Sequence, residues 1–261
     1  MSLPLTPSFL FFLGGVVLIA GTVNGLAGFG FAVVATMALA TVVEPATAVV
    51  FMIIPILAVN LSLVRELSGP QLRTCGRRFG PLLGGALVGM IAGMAVLDSL
   101  PQAPLRGGLG VVTLAFVATA QRVVPLPTLT GATDGGLREN RAAMASIGAV
   151  SGVLFGGTNV GVQLVAYLKS FDLSHGLFVG VVAMLFVGLN GVRVVAAGAL
   201  GLYPNPTVLA LSAVAAVPAA IGVVAGRRLR TAVTERQRRG AVLGLLAFIG
   251  VRLLIGGLGV P

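Results

Sequence analysis

Tryptophan is absent from this sequence, and its 261 residues hold one cysteine, one histidine, one lysine, two tyrosines and seven acidic residues. Each shortage removes a class of protein. A single cysteine, Cys75, permits neither an intrachain disulfide nor a cysteine-based metal site. No Asp or Glu lies in the middle of an apolar segment: Glu44, Asp98 and Asp172 fall at segment ends. That leaves no buried carboxylate for cation coordination in a membrane and no paired acid and base for enzymatic work. His175 is expected in a solvated loop. There is no catalytic dyad, metal-ligand spacing or phosphate loop, and Gly28-Phe-Gly30 lacks the strand context of a nucleotide fingerprint. No enzyme, no cofactor and no metal site are therefore expected.

What remains is apolar. Hydrophobic residues make up 57% of the chain and charged residues 9%, against about 25% charged in ordinary soluble domains. The apolar segments are apolar all round, unlike the alternating strands of a membrane barrel. The expected fold is an all-α polytopic membrane protein with the lipid bilayer as solvent. The net charge of +10 is almost wholly arginine. These arginines sit in short loops between apolar runs, so they read as determinants of orientation rather than as a nucleic-acid footprint. No basic stretch precedes Ser8, so no cleavable signal is expected.

About eight apolar segments are visible, at roughly 8–43, 46–64, 79–97, 105–121, 143–168, 176–198, 205–225 and 240–258. The first is too long for one straight span: a helix over it would measure about 50 Å, against a hydrocarbon core of about 30 Å. It is also soft in the middle, where Gly21, Gly25, Gly28 and Gly30 surround Asn24. Two half-helices of about 10–16 residues, meeting at a glycine-rich break, fit the span better. The fifth segment repeats the design around Gly156-Gly-Thr-Asn159. Interrupted segments at matching places in two halves point to a transporter's binding site.

Other matches support a repeat. Gly25 and Gly30 correspond to Gly152 and Gly157, Asn60 to Asn190, and Gly89, Gly93 and Arg106 to Gly222, Gly226 and Arg239. The expected division is a first transmembrane repeat over 8–121, a cytoplasmic linker over 122–142 rich in turn residues, and a second transmembrane repeat over 143–258. The basic loops 65–78 and 227–239 belong inside by the positive-inside rule, yet they are not equivalent in the repeat. Equivalent loops then face opposite sides, as in an inverted repeat. Each half would begin with a Gly-broken helical hairpin, one opening outward and one inward, and both termini would lie outside.

The breaks supply the candidate substrate-binding residues. A helix that starts at membrane depth aims free N–H groups and a positive dipole end at its surroundings, which suits an anion. Around the first break these are Thr22, Asn24, Gly25, Gly28 and Gly30, and around the second Ser151, Gly156, Gly157, Thr158 and Asn159, with Gln163 one turn on. Small-residue helix packing is the competing reading for the glycines. Asn60 and Asn190 either bridge neighbouring helices or point to a pseudo-symmetric centre. Arg193 lies within an apolar run, three residues after Asn190. A membrane-embedded arginine suggests function; it either holds an anion or snorkels to the outer interface.

The stretch Gly-Thr-Val-Asn-Gly-Leu-Ala-Gly-Phe-Gly (21–30) resembles the opening of the sulfite exporter TauE/SafE family, as does Ser151-Gly-Val-Leu-Phe-Gly-Gly-Thr-Asn-Val-Gly161 in the second half. The glycine-rich third and seventh segments, each leading to a basic residue, are also similar. The resemblance spans about 8–257. It implies a multi-pass plasma-membrane transporter that exports small sulfur-containing anions such as sulfite, sulfoacetate or other organosulfonates. A secondary carrier would rock one repeat against the other around a midplane site, with a proton or sodium as possible coupling ion and a homodimer as possible assembly. A passive anion channel and a non-transporting membrane assembly protein are the rival readings.

Overall fold

The computed structural model describes residues 6–97, 102–120, 140–171, 173–203, 205–229, 232 and 234–258. Among these the chain is helical, with no strand. Four helical stretches are long and apolar enough to cross a membrane: Pro7–Ala27, Pro45–Glu66, Gly176–Ala199 and Pro206–Leu229. A fifth span is possible across Gly69–Arg78 and Gly80–Val96, two helices bent by 68°. With the remaining apolar helices this is a polytopic membrane protein. The linker expected over 122–142 falls, up to residue 139, outside the described residues, as do Asp98 and Asp172.

The first broken run is α1 (Pro7–Ala27) and α2 (Phe31–Leu39). Thr6 caps α1 by accepting the Phe9 N–H, and Pro7 occupies the first helical position, where a missing N–H costs nothing. The second broken run is α8 (Arg141–Thr158) and α9 (Val162–Lys169). The halves of each run are unequal, unlike the pair of 10–16-residue pieces expected. A leading helix of 21 or 18 residues is followed by a stub of 9 or 8. The stubs are about 12–14 Å long and cannot cross a core of about 30 Å. The breaks fall late because the glycines upstream of them serve helix packing instead.

Between the broken runs lie α3 (Pro45–Phe51), α4 (Ile53–Leu63), a 3-10 turn (Val64–Glu66), α5 (Gly69–Arg78), α6 (Gly80–Leu97) and α7 (Gln102–Ala120). After them come α10 (His175–Ala199), α11 (Pro206–Leu229) and α12 (Glu235–Gly257). Pro55 has no N–H to give the Phe51 carbonyl and crowds it. The α3–α4 run is broken at Met52, and the Ser212 hydroxyl of α11 donates to that carbonyl instead.

Two stretches read as loops are helical. Residues 69–78 form α5, started by a capping box in which Ser68 and Gln71 satisfy each other's backbone N–H groups. Its arginines are exposed and Cys75 faces inward. Arg78 stacks against the Phe79 and Phe171 rings, 5.6 and 5.3 Å from their centres. The basic stretch after 226 is likewise helical on both flanks: Arg227 and Arg228 continue α11, and Thr234 caps α12 before Arg236. His175 opens α10 rather than lying in a loop.

The main helix pairs cross between the halves. α1 packs on α11 and α6 on α8, while α4 meets α10 and α7 meets α12. Exchanging the halves turns the first pair into the second and returns the other two to themselves. Glycine makes the crossing pairs close. A Cβ at Gly89 of α6 would overlap the Ala149 carbonyl of α8, and one at Gly25 of α1 would overlap the Val223 carbonyl of α11. At such positions only hydrogen fits between the two backbones, as in small-residue seams of membrane helices.

Candidate functional site

The two breaks are built differently. In the first, Gly28 ends α1 at φ 81° and Gly30 precedes α2 at φ 110°, left-handed positions that glycine enters without a Cβ penalty. The Asn24 Oδ1 accepts the Phe31 N–H at 3.0 Å, so Asn24 caps the next half-helix within its own break. In the second, Asn159 itself turns left-handed, φ 60°, a region asparagine tolerates better than most residues. The Thr158 hydroxyl holds that turn, donating to Leu154 O at 2.5 Å and accepting the Val160 N–H at 3.1 Å. The Asn159 side chain is thereby free to reach across the molecule. Its Nδ2 donates to the Thr36 hydroxyl of α2 and to the Val49 carbonyl of α3, each at 2.9 Å.

The Asn159 Oδ1 accepts from Arg193 Nη1. Arg193 Nη2 donates to the Gly156 carbonyl at 2.6 Å. The guanidinium lies over Phe155, 5.0 Å from the ring centre, and Phe155 stacks on Phe186 at 5.3 Å. Arg193 is 0% exposed, the largest side chain so buried. It turns inward, and the snorkelling alternative does not describe it. Its Nε–H has no partner. Among the described residues no carboxylate pairs with it; the Glu66–Arg227 ion pair, 2.9 Å, lies elsewhere and is partly exposed. A guanidinium is thus held in the protein interior by a neutral amide, a carbonyl and an aromatic face.

One turn before Arg193, Asn190 is also 0% exposed. Its Nδ2 donates to Phe186 O at 2.8 Å, and its Oδ1 has no partner. Asn60 repeats the back-bond in the first half, Nδ2 to Ile56 O at 2.8 Å. The residue matching Arg193 by that correspondence is Leu63, fully buried.

Of the residues singled out from sequence, Gly156, Asn159 and Arg193 come together, with Asn190 one turn away on α10. Thr158 shapes the turn beside them, and Ser151 is buried further back on α8. Gln163 keeps a buried Oε1 without a partner at the start of α9. Gly157 lies near the Gly93 carbonyl of α6 and Gly28 against Val179 of α10. Thr22 donates back to Leu18 O at 2.9 Å, and Gly25 belongs to the α1–α11 seam. Thr36, Phe155 and Tyr203 were not singled out. Thr36 is the one hydroxyl of α2, a signal that could have been used. After α10 the chain reverses at Gly201, φ 66°, with Leu202 N–H on Ala197 O at 2.9 Å. This folds Tyr203 back against the core, where its Oη is buried without a partner. Burial pushes the Tyr203 phenol above its ordinary pKa, against the opposing pull of the Arg193 charge.

A broken helix whose tip meets a buried cation, inside a bundle of membrane-spanning length, is an arrangement that membrane transporters use. The family model for Sulfite exporter TauE/SafE matches residues 13–253, and the chain belongs to that family of membrane transporters. Comparison with curated proteins and with solved structures gave no match.

Proposed function

We propose that this chain is a secondary carrier of a small sulfur oxyanion, sulfite or an organosulfonate, and that Arg193 and Asn159 form the centre of its binding site. The observation that carries the reading is the Arg193 guanidinium, fully buried, with an open Nε–H and no carboxylate partner among the described residues. Burying a lone charge costs several kcal/mol even after relaxation. A bound anion supplies the missing counter-charge, and Phe155 and the Gly156 carbonyl hold the guanidinium flat for it. Asn24, Thr22 and Gly25 shape the first run around this centre rather than contacting the anion.

The two halves act as an inverted repeat in the plasma membrane, with outward transport as the working direction. The helix pairs that exchange between halves support that arrangement, and substrate binding shifts the inward–outward equilibrium only by its differential affinity for the two states. Radiolabelled sulfite flux into proteoliposomes tests the proposal. Saturable uptake that is lost in Arg193→Gln, with that variant still monodisperse in detergent, supports it. Equal flux in the variant removes Arg193 from the site, and single-channel currents would replace the carrier with a channel.

A further inference from the structure

Two partnerless polar atoms of opposite kind lie one helical turn apart on α10: Arg193 Nε, a donor, and Asn190 Oδ1, an acceptor. Helical side chains lean toward the N-terminus of their helix, so Arg193 extends back over the turn that holds Asn190. The contacts agree with this. The guanidinium covers Phe155, Phe155 stacks on Phe186, and the Phe186 carbonyl takes the Asn190 Nδ2. That last bond also fixes the amide: Nδ2 must face a carbonyl, which leaves Oδ1 as the open atom. Both residues are 0% exposed, where an unpaired polar group is costly.

We infer that the site takes its anion in a singly charged, hydrogen-bearing form, such as hydrogen sulfite or hydrogen carbonate, with Arg193 Nε–H donating to the anion and Asn190 Oδ1 accepting its hydrogen. This rests on the reading of Arg193 as the anion site. A fully deprotonated dianion brings two charges to one cation and presents only acceptors to Asn190 Oδ1. A sulfonate monoanion matches the charge but leaves that oxygen unpaired. Each molecule of hydrogen-bearing anion carries one proton with it, so a pH gradient drives the carrier without a carboxylate relay in its membrane helices.

Tyr203 is the titrating group that acts on Arg193, and its raised pKa keeps the phenol protonated near neutrality. Elements packed on α10 place Arg65, Glu66, Arg73, Cys75, Arg77 and Arg78 at the 3-10 turn and α5. These meet α10 near Gly180, where Leu67 packs, about 20 Å along the helix from Arg193. Tyr167 on α9 is engaged with Phe171; Lys169 ends α9, and His175 opens α10 about 27 Å along the helix from Arg193; α4 and α6 carry no titratable residue.

Binding of radiolabelled sulfite to the purified full chain, across a pH series spanning its second ionisation, tests the inference, with methanesulfonate, sulfate and hydrogen carbonate as competitors. Affinity for total sulfite should fall in step with the hydrogen sulfite fraction as pH rises. Methanesulfonate and sulfate should compete about tenfold or more weakly, the equivalent of one good hydrogen bond. Asn190→Leu should cut the hydrogen sulfite advantage over methanesulfonate by about the same tenfold factor. Competition by hydrogen carbonate at its own protonation range supports the chemistry and removes any requirement for sulfur; its failure to compete, with the pH series as expected, assigns the site to sulfur oxyanions. A flat pH series, or methanesulfonate competing as well as hydrogen sulfite, overturns the inference while an Arg193→Gln variant that loses binding keeps the anion site. No anion binding at all by folded protein overturns both.

Discussion

The two broken runs share a packing register but not a break. Gly21 and Gly25 of α1 correspond to Gly148 and Gly152 of α8, 127 residues on, and both pairs lie in seams against the opposite half. The left-handed caps, Gly28 and Asn159, are 131 residues apart. The second run therefore continues one turn further past its seam before it breaks. That extra turn carries Phe155 and Gly156, the ring and the carbonyl that hold Arg193. The partners diverge as well. Pro55 splits the first-half run at Met52, whereas α10 continues unbroken and puts Arg193 where the first half has Leu63. The first half places an apolar side chain in this framework, and the second half places a buried guanidinium there.

The comparison can be broken most severely at the seams. Gly25→Leu and Gly152→Leu occupy equivalent positions with backbone directly opposite. Each should cost at least about 3 kcal/mol by overpacking, and both should fail to give a monodisperse peak in detergent. A tolerant Gly25 beside an intolerant Gly152 would show that only one seam is tight.

The asparagines sharpen it. Asn159→Ala loses three side-chain hydrogen bonds and places a Cβ residue at φ 60°. A loss of about 3 kcal/mol is expected, some 1 kcal/mol of it from the left-handed backbone. Asn159→Gly should recover only that backbone share while still lacking the bond to Arg193, so its thermal midpoint should lie between those of the alanine variant and the parent. Asn24→Ala removes one helix cap and should cost about 1 kcal/mol, with sulfite flux retained. Equal losses of flux at the two positions would mean that the breaks function alike.

The smallest effect concerns the ends of the helices. Glu66 and Arg227 join the halves on one side, while the matching residues Ala196 and Met94 offer no charge. Since Arg227 is 39% exposed, Glu66→Gln should lower stability by about 0.5 kcal/mol or less, and the difference should vanish in high salt.

Much of this was legible in the sequence because it depends on local chemistry. Apolar runs without carboxylates read directly as membrane helices, and Gly28, Gly30 and the Gly-Gly-Thr-Asn stretch marked both breaks. The family resemblance in residues 21–30 and 151–161 held. What was not legible depends on tertiary partners. Asn24 and Asn159 each follow a threonine or a valine in a glycine-rich stretch, yet one caps its own run and the other crosses to α2, α3 and α10. Glycine at 25 or 152 cannot reveal from sequence whether a backbone or a ligand lies opposite. The helix α5 was missed although Ser68 and Gln71 stand at capping-box spacing, because a stretch dense in arginine has no apolar stripe to show its period.

The seams have a mechanical consequence. Each joins a helix of one half to a helix of the other, backbone against backbone, so neither half can tilt as a body without tearing both seams. The pairs held backbone to backbone are instead α1 with α11 and α6 with α8, each of mixed parentage. A half-length chain expressed alone would own one side of each seam and no complete one, and could close them only against a second copy of itself or against its missing half.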